Sequence, residues 1–119
     1  MDKVNITWKI FSIYMLIIIL MLFAGSAFSQ VKVIQFNAAW NDKNTVEWIK
    51  DLSDCDVKYI DIAQNTDAQK KNEIVVVPTI IVFKDGEEVK RFQADISFTM
   101  KATREEVQEI IDEQLMSDF

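Results

Sequence analysis

No histidine occurs in the 119 residues, and cysteine and proline occur once each. Without histidine the chain lacks the commonest general base and the commonest metal ligand. The single cysteine, Cys55, leaves at most an intermolecular disulfide or one-thiol chemistry. Positive charge is also scarce. Residues 30–119 hold eleven Lys and Arg against eighteen Asp and Glu, a net charge of −7. Such a surface repels phosphate backbones, so nucleic acid is not an expected partner, and the charge speaks for solubility more than for function. After residue 29 there is no repeat, no low-complexity tract and no linker.

What is abundant is apolar, and it is unevenly placed. Residues 10–23, IFSIYMLIIILMLF, follow Lys3 and Lys9 and precede small residues at Ala27 and Ser29. A positive flank, a short apolar stretch and small residues form the pattern of a secretory signal, with cleavage after Ser29 leaving Gln30 first. The competing reading is a retained anchor. Residues 10–28 as a helix reach about 28 Å, barely the roughly 30 Å of a bilayer core. No cysteine follows the run, so a lipid-modified N-terminus is not indicated. The expected organisation is residues 1–29 as signal peptide or N-terminal membrane anchor and 30–119 as one exported domain, periplasmic or secreted. A membrane enters only with retention of the N-terminal segment.

Within the domain, 31–37 (VKVIQFN) is β-branched and apolar and reads as a buried strand. Residues 45–52 place Val46, Ile49 and Leu52 on one helical face, and Asn44 with Glu47 resembles a capping box. In 41–44, Asn and Asp suit a helix cap and Asp42 suits the helix dipole while opposing a bound anion. Residues 57–62 alternate as a strand, and 65–72 form a short polar helix. Residues 79–83 (TIIVF) form a core strand, and 84–87 turn into an antiparallel return at 88–93. Thr103 with Glu106 opens a last helix carrying Val107, Ile110, Ile111 and Leu115.

The lone proline stands in Val77-Pro78-Thr79, ahead of an apolar strand and Phe83-Lys84-Asp85-Gly86-Glu87. There the sequence resembles the thioredoxin family, whose cis-proline strand and hairpin it matches residue for residue. Phe36, Ala38 and Trp40 resemble the stretch leading into that family's redox site. The resemblance runs from residue 31 to about 115 and lacks the extra N-terminal strand and helix of the full-length family. It implies an α/β class and a thioredoxin-like three-layer fold. A mixed central sheet of about four strands would carry helices on both faces, in the order β-α-β-α-β-β-α.

The departures bear on function. Where the family has Trp-Cys-x-x-Cys, this chain has Trp40-Asn41-Asp42-Lys43-Asn44. Disulfide exchange requires a thiolate, which an amide cannot supply. The family's buried carboxylate falls on Gln35, which cannot ionise, and the glycine usual after its fourth strand falls on Gln93. Dithiol-disulfide oxidoreductase activity is therefore not expected, nor is a cofactor. What the resemblance leaves is a peptide groove at Trp40, Val77 and Pro78, pairing an extended protein segment by strand addition. The alternative is a single-cysteine thiol oxidoreductase or redox sensor using Cys55. Asp54 and Asp56 disfavour its thiolate, and no further ligand cluster makes this triplet a metal site. Residues 93–102 place Ile96, Phe98 and Met100 at alternate positions, as for an extra strand-like segment over the sheet edge.

Overall fold

The computed structural model describes residues 10, 12–17 and 30–117. The signal or anchor expected at 1–29 lies mostly outside the described residues. Among those described, no helix is long and apolar enough to cross a membrane.

Four strands form one mixed sheet: β1 (Val31–Asn37), β2 (Asp56–Asp61), β3 (Thr79–Lys84) and β4 (Glu87–Gln93), in the spatial order β2-β1-β3-β4. β1 pairs parallel with β2 and antiparallel with β3, and β3 pairs antiparallel with β4. The register sets Val33 between Val57 and Val82, and Gln35 between Tyr59 and Ile80. Period-2 alternation along β1 then serves two cores. Val31 and Val33 face one side with Ile80 and Val82, where Val46, Ile49 and Leu52 join helix α2 (Arg104–Met116) through Val107 and Ile111. Phe36 and Ile81 face the other side with Ile62, Ile74 and Val77, next to helix α1 (Thr66–Lys71).

The turns follow their residues. Asp85 and Gly86 take φ of 52° and 85° between Lys84 and Glu87, the two left-handed positions of a two-residue hairpin loop. Asn65 caps α1 by accepting from the Ala68 N–H at 3.0 Å, and Thr103 caps α2 by accepting from the Glu106 N–H at 3.2 Å. The Val77–Pro78 peptide bond is cis.

Two segments depart from expectation. The helix at 45–52 is not an α-helix. Two 3₁₀ helices stand in its region, η1 (Ala39–Asn44) and η2 (Glu47–Asp51), separated by extended Thr45 and Val46. The cause is Gln35. Its side-chain oxygen accepts from the Val46 N–H at 2.8 Å, a first-turn donor that a helix leaves unpaired, and its Nε2 donates to the Val46 carbonyl at 3.3 Å, competing with the Lys50 N–H that an α-helix would bring there. The face is as expected, since Val46, Ile49 and Leu52 are all buried. Their three-residue spacing fits the 3₁₀ period as well as the α period. The Asn44–Glu47 capping box does not form: Val46 is the N-cap of η2 and makes no side-chain cap bond.

The segment 94–102 is a loop rather than an added strand. Asp95 closes it. Its carboxylate accepts from the Ser97 N–H at 2.9 Å, from the Ser97 hydroxyl, and from Thr99 Oγ1 at 3.3 Å. These local bonds compete with an extended ladder, which is why the alternating apolar residues do not make a strand. Their side chains part company: Ile96 is 98% exposed, Phe98 turns to Trp40, and Met100 packs on the first core.

Candidate functional site

At the C-terminal end of β1 the chain buries two amides, and half-buries a third at Asn44, where the resemblance places redox chemistry. Asn37 and Asn41 are 0% and 2% exposed. Asn41 lies inside η1 at φ −109° and ψ 22°, a break between two short 3₁₀ turns. Its two Nδ2 hydrogens are shared among Asn37 Oδ1 at 3.1 Å, the Phe98 carbonyl at 3.3 Å and the Val77 carbonyl at 3.4 Å. Its Oδ1 accepts from Asn44 Nδ2 at 2.7 Å. Asn37 Nδ2 donates in turn to the Asn41 carbonyl at 3.3 Å and to Thr45 Oγ1 at 3.1 Å. Among the described residues no buried side-chain polar atom lacks a partner.

The amide of Asn41 thus ties β1, the loop before β3 and the loop 94–102 to one point. The capping role expected of residues 41–44 is not the one they play. Ala38 is the N-cap of η1, without a side-chain bond, and the asparagines bond to one another. Gln35, at the position of the family's acid, is 1% exposed and wholly engaged by the Val46 backbone. An amide suits this place because it donates and accepts at once, where a carboxylate would leave the Val46 carbonyl without a donor.

In front of this cluster is a cleft of about 280 Å³. Trp40, 64% exposed, and Phe98 form one wall, their rings edge to face with centroids 5.3 Å apart. Backbone and side chains of 74–77 form a second wall, and Ile62, Thr66 and Gln69 a third. Every residue lining the cleft is uncharged. Of the three groove residues expected from sequence, Trp40 and Val77 line the cleft, while Pro78 is fully buried behind it. The carbonyls on this stretch are already engaged: Val77's by Asn41, and Val76's by Thr79 Oγ1 at 2.6 Å.

Asn37 and Phe98 were not marked as site residues by sequence. A polar residue ending an apolar strand four positions before Asn41 was the available signal for the first. Phe98 comes to the cleft only because the Asp95 turn reverses the chain, with Phe98 itself at φ 61°.

Cys55 is elsewhere. It is half-buried between η2 and β2, at the opposite end of the parallel pair, and borders a small depression with Gln30, Val31, Asp54 and Asp56. Burial first, then the carboxylates of Asp56 and Asp54, push its thiol up to about 11. It shares no lining residue with the Trp40 cleft. Among the described residues no group of three or more Cys, Asp or Glu side chains is arranged to hold a metal ion.

No family profile matches the chain, and no curated protein matches it. Solved structures do. A thioredoxin from the thermophilic eubacterium Thermosipho africanus is 23% identical with a TM-score of 0.60, over 73% of this chain and 97% of that one. Schistosoma mansoni thioredoxin is 23% identical with a TM-score of 0.58, over 79% and 85%. A mutant thioredoxin from Halobacterium salinarum is 22% identical with a TM-score of 0.58, over 72% and 75%. Residues 30–117 therefore have the thioredoxin-like α/β fold. Likeness at this identity speaks for the fold alone, and function has to be argued from the site.

Proposed function

We propose that this is an exported thioredoxin-like domain that performs no dithiol exchange and serves as a protein- or peptide-interaction module. Residues 1–29 act as its signal peptide, or as its membrane anchor where they are retained, and the domain works in the periplasm or outside the cell. The reading rests on one observation above the others: an uncharged cleft walled by the exposed Trp40 stands over a buried Asn41 whose amide has no sulfur to replace it. Asn41 and Asn44 occupy the positions at which the family carries cysteine, so no thiolate is available to attack a substrate disulfide. Cys55 does not supply one, because its raised thiol is protonated at neutral pH and it lies away from the cleft. A partner places a side chain against Trp40, Val77 and Phe98, with Pro78 shaping the floor from behind.

Three measurements test this. Purified protein leaves insulin disulfides intact at the background rate, and catalysed reduction would sink the proposal. Peptides selected from an unbiased library on the wild-type chain lose binding on Trp40→Ala. The intact mass of the exported protein begins at Gln30 for a cleaved signal and at Met1 for an anchor.

A further inference from the structure

Two walls of the cleft are held in different ways. The wall at 74–77 is rooted in the core, with Ile74 and Val77 only 4% and 3% exposed. Arg91 clamps the approach to it by donating to the Asn72 carbonyl at 2.8 Å and to the Glu73 carbonyl at 3.1 Å. The wall that carries Phe98 has no such root: Ile96 is 98% exposed and Phe98 40%. What holds this segment is polar. The Asp95 carboxylate bonds to Ser97 and Thr99, the Phe98 N–H donates to the Asp95 carbonyl at 3.0 Å, and the Asp95 N–H donates to the Thr99 carbonyl at 3.2 Å. Phe98 itself stands at φ 61°, a left-handed backbone that a bulky side chain adopts only under constraint. Its carbonyl shares the Asn41 amide hydrogens with two other acceptors, Asn37 Oδ1 and the Val77 carbonyl. An amide has two hydrogens, so the Phe98 carbonyl can leave without orphaning a buried donor.

We infer that residues 95–99 form a gate on the cleft, one that opens while the wall at 74–77 stays fixed. This rests on the interaction reading above and gives its site a means of regulation. In the closed state, that of the structure, the Phe98 ring stands edge to face on Trp40 and completes the cleft. In the open state Phe98 returns to an ordinary backbone region, its ring leaves Trp40, and Asn41 keeps its bonds to Asn37 and Val77. Relief of the left-handed strain drives opening, and the Asp95 bonds and the aromatic contact oppose it. A partner side chain seated against Phe98 gains contacts that only the closed state offers, so it shifts the gate towards closure.

The experiment is amide hydrogen exchange on the full chain, resolved by residue. The Asp95 and Phe98 amides are expected to be about a hundredfold less protected than the Ile74 amide, which donates to the Gln69 carbonyl at the fixed wall. Equal protection at the two walls overturns the gate. A pair of variants isolates the strain. With the ring gone from both, Phe98→Gly is expected to protect the Asp95 amide about fivefold better than Phe98→Ala, because glycine accepts a left-handed backbone that alanine resists. No difference within the pair overturns strain as the driving force. Trp40→Ala is expected to lower protection at Asp95 and Phe98 and to leave Ile74 unchanged, and a loss shared by both walls overturns their independence. Library peptides that bind the wild-type chain are expected to raise protection at Phe98, and lowered protection overturns closure on the partner. A library that yields no binder sinks the interaction reading and the gate's role with it. Binders in hand with equally protected walls sink the gate alone.

Discussion

The two ends of β1 treat polar atoms in opposite ways. At its C-terminal end, buried Asn37 and Asn41 join half-buried Asn44 in a set of amide bonds that also reaches Thr45, Val77 and Phe98. At its N-terminal end, about 20 Å away along seven residues, Cys55 is a half-buried thiol between two carboxylates. The first end is a fully bonded amide cluster below an uncharged cleft. The second end has the one thiol of the chain, in surroundings that keep it protonated.

The sharpest way to break this comparison is to remove an amide from one end and the sulfur from the other. Asn41→Ala strips the donor from Asn37 Oδ1 and from two backbone carbonyls, and it is expected to cost about 3 kcal/mol in urea unfolding, the scale of a disrupted buried network. Cys55→Ser is expected to cost less than about 1 kcal/mol in the same measurement, as for a half-exposed residue of similar shape. A reversed order would mean that the amide cluster does not hold the front together.

Gln35→Leu comes next. It keeps the volume but leaves the Val46 N–H and carbonyl without partners, for a loss of about 2 kcal/mol. It should also raise helicity at 45–52 in far-UV circular dichroism, since nothing then withdraws the Val46 backbone from a helix. No gain in helicity would show that Gln35 is not what breaks it.

The thiol end is sharpened by pH. The Cys55 thiol is raised from 9.0 to about 11 in the folded chain, so its contribution to stability is complete below pH 9 and is lost as pH rises towards 11. Alkylation of folded protein at neutral pH should run about tenfold slower than that of an unperturbed thiol, because the loss of thiolate is partly offset by the greater nucleophilicity of a higher-pKa thiolate. Reaction at the ordinary rate would restore the one-thiol reading.

The smallest effect is expected at the loop that joins the cleft to the amide cluster. Bonds from the Ser97 hydroxyl and N–H, helped by Lys101, hold the Asp95 carboxyl down from 3.8 to about 2. Its contribution is therefore present above pH 3.8 and disappears as pH falls through about 2. Over that interval Trp40 fluorescence should shift as Phe98 leaves its ring, and Asp95→Ala should show the shifted signal at every pH. Identical spectra for variant and wild type would mean that the Asp95 turn does not position Phe98.

Much of this was readable along the chain. The β-branched run at 31–37, the Asp85-Gly86 turn and the Thr103 cap each carry a local physical signal, and each element formed where it was expected. The aromatic Trp40 and the amides at Asn41 and Asn44 were plain from the residues alone. The helix type at 45–52 was not readable, because Val46, Ile49 and Leu52 satisfy either period and the deciding contact comes from Gln35, eleven positions earlier. Nor was the fate of 94–102, where alternating Ile96, Phe98 and Met100 suggested a strand and the bonds to the Asp95 side chain made a turn.

By itself the sequence determined which residues are apolar, which turns are permitted and which atoms are absent from the front. Those are properties of single residues and near neighbours, and they set the strands and the hairpin. Only the tertiary structure decided that Asn41 would be buried and bonded to Val77 and Phe98, residues 36 and 57 positions away. It also decided that Phe98 would stand against Trp40. A buried amide takes whatever donors and acceptors folding brings to it, and no local pattern records which those will be.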